Sequence, residues 1–285
     1  EKKIITLIRS NSFVGGKQVI EFEKNFAKFT KSKYCITVGN GTDALEIALD
    51  ALKIKKGSEI IVPVNTWIST AEIVINGGYK LVFCDINLDD YSINLIDLKK
   101  KINKKTKVII PVHLYGHPSD MLNIKKLAKK KKIKIIEDCA QAHGASYKGQ
   151  KVGSFGDAAA FSFCQDKIMS TCGEGGMALF KNKKVWSRAW SYKDHGKNFN
   201  AVYNKSHPPG FRWLVDSFGS NYRMTEIQSG VGRFQLKNLD DWVASRQSNA
   251  AILNSCFNAL PLLRQSIPPM NMVHARYKFY TYINP

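Results

Sequence analysis

Short apolar runs alternate with longer amphipathic stretches along most of this 285-residue chain. The runs YCITVG (34–39), EIIVPV (59–64), KLVFCDI (80–86), KVIIPVHLYG (107–116) and IKIIEDCAQ (133–141) have the composition of strands that are covered on both faces. Between them, apolar residues recur with helical spacing, as in the stripe Val19, Phe22 and Phe26. Strands that alternate with helices predict an α/β fold with a mostly parallel central sheet flanked by helices.

The same periodicity gives approximate bounds for the helices. The predicted helices span 16–31, 41–52, 67–77, 95–102, 119–131, 182–192 and, as one or two helices, 224–260. Two further strands, AAAFSF (158–163) and GGMALF (175–180), are predicted to be joined by only a turn. The stretch 195–221 is rich in Gly, Pro and Asn and too long for an ordinary connection, which favours a functional or interfacial role.

Chain length and element spacing predict two domains. We expect residues 1–238 to form a large α/β domain. We expect residues 239–285 to hold a long connecting helix and the incomplete start of a small C-terminal domain, because no terminating element follows the strand-like run YKFYTYINP (277–285).

The chain is strongly basic, with 43 Lys and Arg against 23 Asp and Glu and a formal net charge of +20. Clustered lysines can neutralise phosphates, so a nucleic-acid binder is one alternative. The lysines concentrate in 53–57, 99–107 and 125–134, however, which fall at predicted helix ends and turns, as solvated surface does. Because no recognised binding module accompanies them, we expect no nucleic-acid partner.

Other features of the sequence favour a cytoplasmic protein. No apolar run approaches the roughly 20 residues of a membrane span, and the first residues lack a secretory signal. The six cysteines form no CxxC pair, which predicts reduced thiols and no metal site. Since no run is long enough to span a bilayer, we also expect no membrane partner.

Three polar features follow predicted strands at their carboxyl ends, where open parallel sheets bind ligands. Gly41 and Thr42 begin a helix and could form an anion site, although the pair is also an ordinary helix cap. Asp138 ends an apolar strand, so its carboxylate either needs a partner or caps the next turn. Lys167 lies between apolar FSF and glycine-rich GEGG, a setting in which an amine can attack a carbonyl.

Taken together, these features match the needs of pyridoxal phosphate (PLP). The helix start would hold the phosphate, and Asp138 would pair with the ring nitrogen. Lys167, 29 residues further along the chain, would bond with the aldehyde. The sequence therefore predicts a PLP-dependent enzyme with Asp138 and Lys167 as catalytic residues.

The chain resembles the DegT/DnrJ/StrS-type sugar-nucleotide aminotransferases. The resemblance covers about residues 13–240, in family order, and is carried by FVGGKQVIEFEKNFAKF, VGNGTDALEIAL, VPVNTWISTAEIVINGG, VHLYGHPSDM, EDCAQAHGA, GSFGDAAAFSF, KIMSTCGEGGM and NYRMTEIQSGVGRFQL. It implies the PLP-dependent transferase fold of type I, with a large domain and a small C-terminal domain.

The resemblance also implies roles for single residues around the ring of the cofactor. Lys167 matches the lysine that bonds to the cofactor, and Asp138 matches the carboxylate at the ring nitrogen. Gln141 matches the residue beside the phenolic oxygen. Trp67 matches an aromatic residue that stacks on the ring.

The phosphate cradle of the family is matched by Gly41, Thr42 and Ser162. Asn221 matches a residue that reaches the phosphate in the neighbouring subunit. The resemblance therefore implies a homodimer with shared active sites.

Five nearby residues are less informative. Glu174 is interpreted as a turn stabiliser and His195 as a surface residue, although His195 could face the sugar. His113 and His143 lie near the same sheet edge without a spacing that assigns them a role. Cys172 stands where the family commonly has glycine, so it would be strained if the position requires a positive φ.

The implied reaction moves an amino group from an amino acid, glutamate by family likeness, to a nucleotide-linked keto-deoxysugar. The expected acceptor is a 4-keto-6-deoxyhexose used for surface polysaccharide such as lipopolysaccharide O-antigen, or for another glycan. Dehydratases of this family carry histidine at the position of Lys167, so lysine favours amino transfer. The alternatives are a 3-keto-sugar aminotransferase and a non-catalytic regulator with the same fold.

Overall fold

The computed structural model describes residues 2–207 and 215–283. Its helices are α1 (Lys2–Arg9), α2 (Lys17–Thr30), α3 (Gly41–Ala51), α4 (Ser69–Asn76), α5 (Leu95–Lys101), α6 (Met121–Lys131), α7 (Lys183–Lys193), α8 (Phe199–Tyr203) and α9 (Glu226–Phe257). Its strands are β1 (Tyr34–Val38), β2 (Glu59–Pro63), β3 (Lys80–Cys84), β4 (Thr106–Ile109), β5 (Lys134–Asp138), β6 (Ser146–Tyr147), β7 (Gln150–Lys151), β8 (Ala158–Ser162), β9 (Gly176–Phe180), β10 (Leu263–Gln265), β11 (Met272–Val273) and β12 (Thr281–Ile283).

Each predicted helix occurs, and 224–260 is a single helix, α9. Helices α1 and α8 were not predicted. Residues 208–214, the middle of the Gly- and Pro-rich stretch, lie outside the described residues. Within the described ranges, no helix combines the length and the apolar composition that crossing a bilayer requires.

Seven strands form the central sheet in the order β1-β9-β8-β5-β4-β2-β3. The five strands from β8 to β3 are parallel, and β9 runs antiparallel to both of its neighbours. The prediction of an α/β fold with a mostly parallel sheet is confirmed. Strands β8 and β9 are neighbours as predicted, but residues 163–175 connect them, which is more than a turn, and Lys167 lies within this connection.

Helices cover both faces of the sheet, because the side chains of each buried strand alternate between two apolar layers. In β2, Ile60 and Val62 pack with α3, α4 and α7, whereas Ile61 packs with α5 and α6. Helices α2 and α9 cover the remaining part of the second face, where Phe22 and Phe26 are fully buried. This two-sided burial explains why the strands read as nearly continuous apolar runs.

Residues on the two sides of position 238 are in contact. Helix α9 runs through position 238 without a break. Strand β11 pairs with β6, and Ala275 N donates to Gly116 O at 2.9 Å, so residues 272–275 pack on the large domain. The division at 238 stays a prediction.

A buried carboxylate joins the two helices of the second face. Glu226, the first residue of α9, is 2% exposed and accepts hydrogen bonds from the amides of Gly16, Gln18 and Val19 at 2.9–3.0 Å. These are amides at the start of α2, where no intrahelical acceptor exists and negative charge is favoured. Glu226 therefore fixes the start of α9 against the start of α2.

Replacing Glu226 with alanine would leave these three amides without their acceptor. We expect Glu226→Ala to lower the free energy of unfolding by about 3 kcal/mol, measured by urea denaturation. Glu21→Ala is the control, because Glu21 also lies on this face but forms only a long, partly exposed pair with Arg233 at 4.0 Å; its loss should stay below about 1 kcal/mol. Equal losses in the two variants would contradict this role of Glu226.

Candidate active site

A cavity of about 750 Å³ opens at the edge of the sheet where the parallel strands end. Seven of the eight residues predicted for the site line this cavity: Gly41, Thr42, Trp67, Asp138, Gln141, Ser162 and Lys167. Their positions follow from topology, because strands β1, β2, β5 and β8 all point their carboxyl ends towards this edge. The eighth residue, Asn221, is exposed and does not line this cavity.

The start of α3 forms one wall. Asn40 caps the helix by accepting from Asp43 N at 2.9 Å, and Thr42 Oγ1 donates to Ser69 Oγ at 2.8 Å. A Cβ at Gly41 would lie 2.7 Å from Ser162 Cβ, so only glycine lets this helix start approach β8 so closely. The first amides of a helix have no intrahelical acceptor and attract anions. We call Gly41, Thr42 and Ser162 the anion cradle.

Asp43, in the first turn of α3, also lines the cavity. Burial raises its pKa to about 6, and the nearby charge of Glu46 adds to this effect. A carboxyl group that protonates this easily would repel a bound phosphate less than an ordinary aspartate does.

Asp138 lies at the carboxyl end of β5 and is 5% exposed. Its carboxylate accepts from Thr70 Oγ1 at 2.8 Å and from Ala140 N at 3.1 Å. Burial raises the pKa of Asp138, and these two hydrogen bonds and the charge of Lys167 oppose the rise. The side chain is therefore a buried acid that a cation bound in the cavity would stabilise in its charged form.

Lys167 reaches the cavity from the 163–175 connection, with 15% of its side chain exposed. Its Nζ lies 3.1 Å from Asp166 Oδ2 and donates to Tyr277 OH at 3.4 Å. The Tyr277 hydroxyl also donates to Asp166. A carboxylate and a phenol thus hold the amine at the cavity wall.

Helix α9 braces the connection that carries Lys167. Gln235 Oε1 accepts from Ser170 N at 2.6 Å, and Gln228 Nε2 donates to Glu174 O at 2.8 Å. Thr171 Oγ1 also donates to Glu174 O, so the backbone of Glu174 does hold the turn together as expected.

Trp67 and Gln141 border the open side of the cavity. Trp67 is 71% exposed, so its ring is available to a ligand. Gln141 Oε1 accepts from Tyr115 N at 2.7 Å, which leaves its amide nitrogen to donate elsewhere.

The histidines near this edge do not line the cavity. His195 is exposed. His143 is buried against the rings of Phe161 and Phe163, and burial lowers its pKa to about 3. His113 is buried with its Nε2 3.1 Å from Glu137. Their positions favour structural roles.

His113, Glu137 and Cys139 place potential metal ligands within 4.8 Å of one another. Glu137, however, accepts from three amides, of Gly153, Phe155 and Gly156, as well as facing His113. Burial also raises the pKa of the Cys139 thiol. The group is occupied in holding residues 153–156, so it does not have the free ligands of a metal site.

Sequence reasoning missed several polar residues that line the cavity, among them Asn40, Asp43, Thr70, Asp166 and Tyr277. Asn40 and Asp43 are adjacent to the predicted helix start and could have been found from the capping pattern. Thr70 and Tyr277 reach the site only through tertiary packing, 68 residues from Asp138 and 110 residues from Lys167.

Cys172 has a φ of +67°, as the comparison with glycine anticipated. We expect Cys172→Gly to raise the free energy of unfolding by about 0.5–1 kcal/mol in urea denaturation, because glycine adopts this backbone without steric cost. Cys172→Ala removes the thiol but keeps the strain, so it should match the parent. An alanine variant at least as stable as the glycine variant would contradict the strain.

The raised pKa of Asp138 predicts a pH-dependent cost in the cofactor-free protein. A folded pKa above the unfolded value means that this carboxyl's contribution to stability falls as pH rises from about 4 through the folded pKa. Cofactor-free Asp138→Asn should therefore be more stable than the parent at pH 8, and the difference should vanish below about pH 4.

Urea denaturation at both pH values measures this difference. Asp97→Asn is the control of opposite sign, because the hydrogen bond from Asp85 N lowers the pKa of Asp97. Loss of that carboxylate should destabilise the protein at pH 8. An Asp138→Asn variant that is less stable than the parent at pH 8 would show that the charged Asp138 carboxylate does not lower the stability of the protein.

Comparison with known proteins gives a consistent result. The DegT/DnrJ/EryC1/StrS aminotransferase family profile matches residues 1–284. GDP-perosamine synthase of Escherichia coli O157:H7 is 39% identical over 245 residues, which are 86% of this chain and 64% of that protein. The chain thus spans less than two thirds of that relative.

Two solved structures share the fold. An aminotransferase from Psychrobacter cryohalolentis superposes with a TM-score of 0.93 at 44% identity, covering 98% of this chain and 73% of that one. A GDP-4-keto-6-deoxymannose-3-dehydratase with a trapped PLP-glutamate geminal diamine superposes with a TM-score of 0.92 at 27% identity, covering 100% of this chain and 76% of that one.

The residues present in the cavity fit PLP. The anion cradle suits a phosphate and would be filled by a Cβ at Gly41. Asp138 is a buried acid whose raised pKa a protonated ring nitrogen would lower. Lys167 offers an amine in the same cavity. The chain belongs to the DegT/DnrJ/EryC1/StrS aminotransferase family, whose cofactor is pyridoxal phosphate.

Proposed function

We propose that this chain carries the cofactor site of an aminotransferase that moves the amino group of glutamate to a nucleotide-linked 4-keto-6-deoxyhexose, for synthesis of a surface polysaccharide or glycan. The observation that supports this most directly is that the Lys167 amine and the buried Asp138 carboxyl open into one cavity with the anion cradle. The acceptor is inferred from the relative named GDP-perosamine synthase, and the donor from the PLP-glutamate adduct of the solved dehydratase.

We assign the cofactor contacts to residues that already share the cavity. The anion cradle would hold the phosphate, and Asp138 would hold the ring nitrogen in its protonated form. Gln141 would donate to the phenolic oxygen, and the exposed ring of Trp67 would stack on the pyridine. When bound, PLP supplies an acceptor for the electrons that remain when a Cα proton leaves.

Lys167 would act as the base that takes the proton from the donor's Cα. Its amine must be free of a proton for that step, and Asp166 Oδ2 lies 3.1 Å from its Nζ. The Tyr277 hydroxyl shares Asp166 with the amine and so competes for that carboxylate. We therefore assign Asp166 and Tyr277 as positioning residues for Lys167.

The active unit would be a homodimer. Asn221 lies outside the cavity of its own subunit, which is the placement expected of a residue that serves the neighbouring site. Trp67, which lines the cavity, is 71% exposed and its neighbour Ile68 is 60% exposed, so a second subunit would also cover apolar surface there.

Lysine at position 167 distinguishes this proposal from the other activities of the family. A dehydratase would carry histidine there, and a regulator without turnover would not need Asp138, Gln141 and Lys167 in one cavity. A 3-keto acceptor would use the same residues, so the substrate has to be identified by assay.

We expect Lys167→Ala to lower glutamate-dependent amination by at least about a thousandfold, because both the covalent anchor and the base are lost. The assay uses GDP-, UDP- and dTDP-linked 4-keto and 3-keto sugars, with the amino sugar detected by mass spectrometry. The absorbance band of the lysine–cofactor bond should disappear with the activity.

Lys151→Ala is the matched control, because Lys151 pairs with Asp240 at 3.2 Å outside the cavity. It should keep both the absorbance band and the activity of the parent. Turnover by Lys167→Ala at the rate of this control would refute the assignment of Lys167. If only the 3-keto sugars were aminated, the acceptor would be a 3-keto sugar rather than the 4-keto sugar that we propose.

A further inference from the structure

The edge of the sheet opposite the active-site cavity collects most of the lysine runs. Strands β1, β2, β3, β4, β5 and β8 begin at this edge, and the antiparallel β9 ends there. Helices α3, α5 and α6 return to the same edge before the next strand begins. The segments at this edge, which we call the amino-edge segments, are 31–33, 50–59, 80, 99–107, 129–134, 157 and 181–184.

The amino-edge segments contain almost the whole excess charge of the chain. They hold twenty of the 43 Lys and Arg residues, whereas only three of the 23 carboxylates lie there: Asp50, Glu59 and Asp157. Each of these three pairs with one edge lysine at 2.8–3.4 Å. The rest of the chain, with 23 cations and 20 carboxylates, is close to neutral.

These lysines are directed to solvent. All twenty are exposed. In the part of the chain that the structure describes, no edge lysine beyond Lys53, Lys80 and Lys134 forms an ion pair. Like charges at this density repel one another, and a polyanion would remove that repulsion.

A groove of about 480 Å³ indents this edge beside α6. Lys125, Lys126, Lys129 and Lys181 line it. Burial lowers the pKa of Lys181, and the charge of Lys125 lowers it further. Both side chains line this recess, in which a phosphate-sized anion would be favourable.

We propose that the amino edge is a docking surface for an anionic phospholipid bilayer. All twenty cations are lysines, the amino-edge segments contain no arginine, and the aromatic residues at the neighbouring strand ends are not exposed: Tyr34 is half-buried and Phe180 is buried. Lysine is a point charge that attracts headgroups without fixed geometry, whereas nucleic-acid sites add arginine forks and stacking aromatics. Seven strands also make the edge about 30 Å wide, a broad face rather than a channel.

This convergence could not be foreseen from the sequence, from which we expected solvated surface and no membrane partner. The docking geometry leaves catalysis unobstructed, because the active-site cavity opens at the other end of the same strands. A protein docked in this way would present its cavity to the aqueous side.

Co-sedimentation of the full chain with vesicles tests the proposal. Partitioning onto phosphatidylcholine vesicles with about 30% phosphatidylserine should exceed that onto pure phosphatidylcholine by at least about fiftyfold. It should fall steeply towards about 0.5 M salt, because screening shortens the reach of the lysine charges. Equal binding to both vesicle types, or none, would overturn the proposal.

Two quadruple variants with the same change of charge separate the edge from net charge. The edge variant is Lys99→Gln, Lys100→Gln, Lys130→Gln and Lys131→Gln. The control variant is Lys17→Gln, Lys24→Gln, Lys205→Gln and Lys237→Gln, which are exposed lysines outside the amino-edge segments. Matching circular dichroism melting curves confirm that both variants fold.

The edge variant should partition onto anionic vesicles at least about thirtyfold less than the parent, and the control at most about threefold less. Equal losses in the two variants would show that binding depends on net charge alone. That result would overturn the proposal that the amino edge binds the bilayer. Tighter binding to random duplex DNA than to vesicles, at equal phosphate concentration, would replace the lipid by nucleic acid.

Discussion

A buried carboxylate at the end of a central strand is the constraint around which this site is arranged. Asp138 can sit at the end of β5 only because Thr70 and Ala140 donate to it, and even so its pKa stays raised. An uncompensated buried charge is costly, so the fold accepts a less favourable state that a ligand cation would relieve. A buried carboxylate that lowers stability is typical of a binding site. The cavity, the anion cradle and Lys167 all lie beside Asp138.

Most of the fold and much of the site could be predicted from the sequence. Continuous apolar runs located every strand of the central sheet, because burial on both faces leaves a strong apolar signal, and the 3.6-residue period located seven helices. The residues at strand ends converged for the same topological reason. Thr70 and Tyr277 were missed since each reaches the site by packing of segments far apart in sequence. The amino edge was missed because a run of lysines says nothing about which other runs lie beside it.

The two ends of the parallel strands have opposite characters. The carboxyl ends carry the buried acid, the anion cradle and a single reactive amine in a sheltered cavity. The amino ends carry exposed lysines and few carboxylates. The fold itself keeps these regions apart, since each strand has only one of each end. Catalysis at the carboxyl ends and electrostatic binding at the amino ends can therefore vary independently. Substitutions at one end need not disturb the other.

Helix α9 has a consequence for mutational sensitivity. Its first residue clamps α2 through Glu226, and its next turns brace the Lys167 connection through Gln228 and Gln235. A single 32-residue helix thus links α2, the connection that carries the reactive amine and the distant end at Phe257. A substitution that changes how α9 packs would therefore also affect the position of the connection that holds the amine. Substitutions in α9 far from the cavity could thus lower the catalytic rate by displacing Lys167, without unfolding the protein.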